Sequence, residues 1–205
     1  SPDGTAGIVK SLQEKHNGKI HLLERSGKRG LGTAYIKGFH WALENGYDFI
    51  FEMDADFSHN PDDLVLLFNT CMNGADLAIV SRYITGVNVV NWPMGRVLIS
   101  YFSSMYVRFI TRMKIKDSTA GFVCYRDRVL ETINLDIIKF KGYAFQIERK
   151  FNAWKYGFNL EEVPIIFTDR KEGKSKMSGK IVYEAIWGVI TMKISSWFKS
   201  YSKVA

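Results

Sequence analysis

Cysteine is almost missing from the 205 residues: Cys71 and Cys124 are the only two, and neither stands in a metal-binding spacing. That excludes a disulfide scaffold and fits a reducing compartment. Proline is scarce too, with four residues, and no repeat, low-complexity run or linker interrupts the chain, so one domain over 1–205 is expected. The four histidines (His16, His21, His40, His59) share no ligand spacing and no carboxylate partner in sequence. No Ser-His-Asp or Cys-His arrangement can be assembled from the chain. Acidic residues are absent from 94–113, yet Arg96, Arg108 and Arg112 punctuate that stretch and argue against a membrane span.

What is present is ordinary for a globular chain, at 46% hydrophobic and 24% charged residues, which excludes disordered, collagenous and coiled-coil classes. The net charge is +7, of which +6 falls in 170–205. A nearly neutral body with a basic end suits a local anionic partner better than a nucleic acid spread over the surface.

Strand-like and helix-like segments alternate. Ile20 to Glu24, Asp48 to Met53 and Asp76 to Ser81 read as strands, and Leu31 to Glu44 and Pro61 to Met72 as helices, the second with Asn60 as N-cap. Later strands are expected at Gly121 to Tyr125 and Val163 to Phe167, with a helix from Phe145 to Lys155 between them. This order predicts an α/β fold with a mainly parallel sheet flanked by helices. Ser1-Pro2-Asp3-Gly4-Thr5 reads as a turn leading straight into a helix, so a first strand is expected upstream of it. The segments 94–113 and 181–198 are apolar on nearly every face and carry Trp187 and Trp197. Each reads either as a buried helix or as an amphipathic helix resting on lipid, where aromatic rings sit at headgroup level and basic side chains snorkel.

Asp54-Ala55-Asp56 follows directly on the strand DFIFEM. Two carboxylates at the C-terminal end of a strand lie where α/β folds bind ligands, and such a pair can hold a hard divalent cation against a diphosphate. A polar turn with Asp56 capping the next helix would use the same residues. Lys28-Arg29-Gly30-Leu31-Gly32 is a glycine-bearing turn entering a helix, which lets a backbone approach phosphates, although it is no Walker loop. Arg82 closes another strand, Arg96 and Ser100 share a helix face, and Arg170, Lys171, Lys174 and Lys176 crowd one basic loop. Arginine forks suit oxyanions, and an ion pair would equally account for Arg82. Asp117 reads as a turn cap or a base.

Taken in order, SPDGT, GKRGLGTAYIKGF, EMDADFSHNP, SRY, DSTAGF, GYAFQIE, EVPIIF and DRKEGKSKMS resemble a family-two glycosyltransferase of GT-A fold, of the polyprenol-phosphate (dolichol-phosphate) mannose synthase type. The resemblance covers essentially the whole chain. It implies inverting, metal-dependent transfer of mannose from GDP-mannose to a polyprenol monophosphate, with Mg2+ or Mn2+ held by Asp54 and Asp56. It further implies catalytic roles for Asp56, Arg82, Arg96 and Arg170, and substrate-binding roles for Asp3, Lys28, Gly32, Asp54, Ser100 and Lys176. Ser58 stands where some members place a metal-binding glutamine. The implied setting is the cytoplasmic face of a membrane, with peripheral attachment and a small membrane subunit as a candidate partner. Transfer of glucose from a UDP-sugar, or a non-catalytic module binding anionic lipid on the same fold, are the alternatives.

Overall fold

A computed structural model describes residues 3–27, 30–138, 140, 144–169 and 179–202. The backbone divides into two compact units, Ser1–Gly30 and Leu31–Ala205. In the first, Gly4 takes a left-handed φ of 79° that a side chain would resist, and helix α1 (Thr5–Lys15) follows. The expected strand at Ile20 to Glu24 does not form: residues 20–25 carry no strand pairing, and Ile20 instead gives its carbonyl to the Gln13 side chain at 3.1 Å.

The second unit is built on four strands, β1 (Phe49–Glu52), β2 (Leu77–Ser81), β4 (Val123–Arg126) and β5 (Leu160–Pro164), in spatial order β1-β4-β2-β5. β2 and β5 are parallel, whereas β4 lies antiparallel between β1 and β2. Three strands therefore run one way and one is reversed, giving a mixed sheet. Every residue of β2 is buried, as expected of a strand covered on both faces. A two-stranded parallel ribbon joins β3 (Val89–Val90) to β6 (Phe167–Thr168).

Helices α2 (Leu31–Glu44), α3 (Asp63–Met72), α5 (Asp127–Thr132) and α6 (Ala144–Tyr156) cover this sheet, with a single 3-10 turn at Leu135–Ile137. α3 starts two residues later than Pro61 suggested: Asn60 instead accepts the backbone N–H of Asp62 at 3.2 Å and turns the chain into the helix. Gly32 permits close packing of α2, since a Cβ there would meet the Phe145 ring at 2.8 Å.

Two further helices lie beside one another, α4 (Met94–Thr111) and α7 (Gly179–Ser195). α4 begins after Pro93 and ends at Arg112, whose left-handed φ of 66° stops the helix. The Tyr106 hydroxyl donates to the Ile186 carbonyl at 3.0 Å and ties the pair. Both keep one apolar side in the core, through Val97, Val107 and Val189, and leave another uncovered. Phe102, Phe109, Trp187 and Trp197 are more than half exposed. Among the described residues no helix is long and apolar enough to cross a membrane.

Candidate active site

The strand ends of the second unit open into a cavity of about 510 Å³ that runs on between α4 and α7. Asp54, Arg82, Arg96, Ser100 and Thr119 line it, and Ile99, Phe102, Val107, Ile186 and Val189 give it an apolar continuation. Four residues singled out from sequence thus meet in one space, although Arg82 and Arg96 come from different elements.

Asp54 follows β1 by two residues and receives a hydrogen bond from the Tyr35 hydroxyl at 3.3 Å. Asp56 accepts both the backbone N–H of Ser58, at 3.2 Å, and its hydroxyl, at 2.6 Å. Ser58 therefore orients Asp56 through a tight Asx turn. No cluster of three or more Asp, Glu, His or Cys able to hold a metal occurs among the described residues. Asp54 and Asp56 are hard oxygen donors of the kind that suits a divalent cation such as Mg2+.

Arg82 is held rigidly. Its Nε and Nη2 donate to the two oxygens of Asp117 at 2.6 and 2.7 Å, its backbone N–H adds a bond at 3.1 Å, and Nη2 also reaches Thr119 Oγ1 at 3.0 Å. Asp117 is completely buried. Burial alone would raise its pKa, but the Arg82 charge and hydrogen bonds, with help from Lys150, hold it below the ordinary carboxylate value. Asp117 thus anchors the arginine fork, and its Oδ1 also accepts the Thr119 hydroxyl within its own turn at 3.3 Å. Arg96 donates to Asp169 at 2.7 Å and lies over the Trp92 ring, 4.0 Å from its centre. Trp92 also faces the Arg82 guanidinium at 5.2 Å, so one indole sits against both cations.

Below this wall, two neighbours on α6 reach in different directions. Arg149 meets both oxygens of Glu52 at 2.7 Å and bonds Gln146 at 2.6 Å, bracing the end of β1, two residues before Asp54. Lys150 donates to the carbonyls of Ser118 at 3.1 Å and Ala120 at 2.5 Å, bracing the loop that carries Asp117. Burial drives the Lys150 pKa down to about 7, with the Arg149 and Arg82 charges adding to the effect and Glu52 and Asp117 opposing it.

His59 also lines the cavity, where the sequence offered no role for any histidine. Its ring stands edge-on to Phe122 and Phe167, with centroids 5.0 and 5.2 Å away. Burial, then the nearby Arg82 charge, lowers its pKa to about 4 against the pull of Asp56 and Asp117. Asp3 belongs to the first unit, where its Oδ1 accepts the Thr5 hydroxyl at 2.7 Å. Gly32 packs α2 on Phe145. Lys28, Arg170 and Lys176 lie outside the described residues.

Sequence reasoning missed His59, Lys150 and the partners Asp169 and Trp92. Their side chains reach the site from separations of tens of residues, which no local spacing reveals. His59 alone had a local signal, three residues beyond Asp56.

The pattern of Glycosyl transferase family 2 matches residues 1–134. The chain is 44% identical, over 96% of its length and 72% of the relative's, to polyprenol monophosphomannose synthase of Mycolicibacterium smegmatis. It is 45% identical, over 92% of its length and 79% of the relative's, to undecaprenyl-phosphate mannosyltransferase of Micrococcus luteus. Among solved structures it resembles glucosyl-3-phosphoglycerate synthase of Mycobacterium tuberculosis, crystallised with Mn2+, uridine diphosphate and phosphoglyceric acid. The TM-score is 0.58 at 13% identity, covering 81% of this chain and 55% of that one. At that identity the likeness establishes the α/β architecture alone, and the chain spans little more than half of that solved chain.

Proposed function

The chain belongs to glycosyl transferase family 2, and from that premise we propose that it transfers mannose from GDP-mannose to a polyprenol monophosphate with inversion at the sugar carbon. The observation that carries the reading is the shape of the cavity. A carboxylate end at Asp54, an arginine wall at Arg82 and Arg96, and an apolar passage between α4 and α7 suit a diphosphate, a phosphate and a hydrocarbon chain in turn. The names of the two relatives, a polyprenol phosphomannose synthase and an undecaprenyl-phosphate mannosyltransferase, support the same assignment.

A phosphate monoester is largely anionic at neutral pH, so its oxygen needs no strong base to attack. It needs charge neutralisation and in-line placement. Arg82 and Arg96 neutralise and orient that phosphate, and Asp117 keeps the Arg82 fork in one rotamer. The phosphate oxygen attacks the anomeric carbon from the face opposite the diphosphate. The bond from that carbon to the diphosphate oxygen breaks, and its electron pair leaves with GDP. Asp54 and Asp56 would hold Mg2+ or Mn2+, whose contribution is to neutralise the departing diphosphate. The sequence resemblance gives Arg170 a catalytic and Lys176 a substrate-binding role, and the whole works on the cytoplasmic face of a membrane, alone or with a small membrane subunit.

The test is turnover. Radiolabelled GDP-mannose and UDP-glucose are each offered with polyprenyl phosphate in detergent, with added Mg2+, added Mn2+ or a chelator. Product from GDP-mannose, lost with the chelator, is the expected result; product from UDP-glucose alone would overturn the donor assignment.

A further inference from the structure

Two residues of the cavity wall, His59 and Trp92, each bury a side-chain nitrogen that has no partner among the described residues. His59 is only 8% exposed, and its Nδ1 is buried without a hydrogen bond in the protein. Core imidazoles are normally satisfied, because an unpaired buried nitrogen destabilises the fold. The chain also bends in an unusual way to put the ring there. Phe57 adopts a left-handed φ of 61°, a conformation that bulky residues avoid. The result is inverted burial: Phe57 is 84% exposed while the polar His59 turns inward between two aromatic rings. A phenylalanine at 59 would fill that edge-to-face slot and leave no unpaired nitrogen, so packing alone does not call for histidine.

We infer that His59 is a further substrate-touching residue of this reaction, its ring nitrogen bonding a hydroxyl of the hexose in transit, an inference that rests on the transfer proposed above. Position supports it. His59 shares the cavity wall with Asp54, on the diphosphate side, and Arg82, on the acceptor side. In-line displacement places the sugar between leaving group and nucleophile, and so along that wall. Charge supports it as well. With a pKa near 4 the ring is neutral at physiological pH and offers one donor and one acceptor. Those two functions match a hydroxyl, which also donates and accepts. A phosphate is better met by the arginines nearby.

The experiment compares the full chain with His59→Phe and His59→Asn, using GDP, GDP-mannose and single-position deoxy analogues of GDP-mannose. Binding is read by calorimetric titration, transfer by kcat/KM, and folding by Tm. His59→Phe is expected to keep the GDP affinity and Tm of the wild type while kcat/KM for GDP-mannose falls roughly 10- to 100-fold, the scale of stranding one neutral hydrogen-bonding group. One deoxy analogue that is penalised with the wild type should carry no further penalty with His59→Phe, and His59→Asn should restore part of the loss. If His59→Phe transfers mannose at the wild-type rate with unchanged discrimination among the analogues, the ring only packs and the inference fails. It fails equally if GDP affinity and Tm drop together with the rate. A wild type that uses UDP-glucose and not GDP-mannose refutes the donor instead, and the same comparison with deoxyglucose donors then decides the role of His59.

Discussion

At the scale of single residues, the site separates groups that carry charge to substrate from groups that hold those carriers still. In the proposed transfer Asp56 is of the first kind, and Ser58 bonds its carboxylate. Asp56→Asn preserves shape and removes the charge a cation needs, so transfer should fall by roughly 100-fold or more, the scale of one strong electrostatic stabiliser. An initial-rate assay at saturating Mg2+ or Mn2+ checks this, and unchanged rates would remove Asp56 from the site. Arg82 and Asp117 act as a unit. Arg82→Lys loses the two-pronged geometry that Asp117 matches, and should lower acceptor use far more than GDP binding. Asp117→Asn leaves a guanidinium in a buried place without its counter-charge, which typically destabilises by about 3–5 kcal/mol. Denaturant unfolding of the two variants should therefore show Asp117→Asn as the less stable and Arg82→Lys as the less active.

Among the elements, α4 and α7 are the unusual pair. Each buries one stripe and leaves large apolar side chains in solvent, Phe109 at 68% on α4 and Trp187 at 53% on α7, and Trp197 just past the end of α7 is 68% exposed. Exposed apolar patches of this kind mark an interaction surface. Because the cavity's apolar passage opens between the same two helices, the proposed function makes a bilayer holding the acceptor's tail their partner. Replacing Phe109 and Trp197 by serine should lower partition onto anionic vesicles by about tenfold or more, since the loss of 1.4 kcal/mol already amounts to tenfold and a buried aromatic ring contributes more. Raising the salt should weaken the remaining attraction, as basic side chains near anionic lipid contribute about 1 kcal/mol each within a Debye length. Sedimentation with vesicles measures both effects. Equal partition of wild type and variant would show that these helices do not meet lipid.

For the molecule as a whole, the buried charges beneath the site link stability to pH. The folded pKa of Lys150 is about 7, well below the ordinary lysine value of 10.5. Between those values the unfolded chain binds the proton and the folded chain does not, so this residue makes unfolding less favourable as pH rises from about 7 to about 10.5. Below pH 7 its burial as a cation is a cost carried by the native state. The stability of the wild type relative to Lys150→Met should therefore improve steadily over the alkaline window. Urea unfolding at several pH values reads that difference, and a flat or falling one would place the lysine's proton otherwise. Lys150→Arg, which stays charged, should not show the alkaline gain.

Much of the architecture was legible in local pattern. Alternating apolar strands and amphipathic helices announced an α/β chain, and the acid-free stretch over α4 declared itself by composition. The position of Asp54 and Asp56 at a strand end pointed to the ligand side of the sheet, because that inference needs only the strand that precedes them. Pairings across long separations were not legible. Arg82 finds Asp117 thirty-five residues on, and Arg96 finds Asp169 seventy-three residues on. The reversal of β4 and the absence of a strand at Ile20 to Glu24 are likewise decided by which neighbours a segment meets, since strand propensity is expressed only when a partner edge is there to bond. His59 shows the division most sharply. Its place three residues after Asp56 was plain in the sequence, but whether it faced water or the cavity depended on the backbone turn at Phe57 and on the two rings that close around it. Local chemistry determined which elements form and which residue types stand at their ends; tertiary packing alone decided which of those groups share a space with low enough solvent exposure for charge and hydrogen bonding to act strongly.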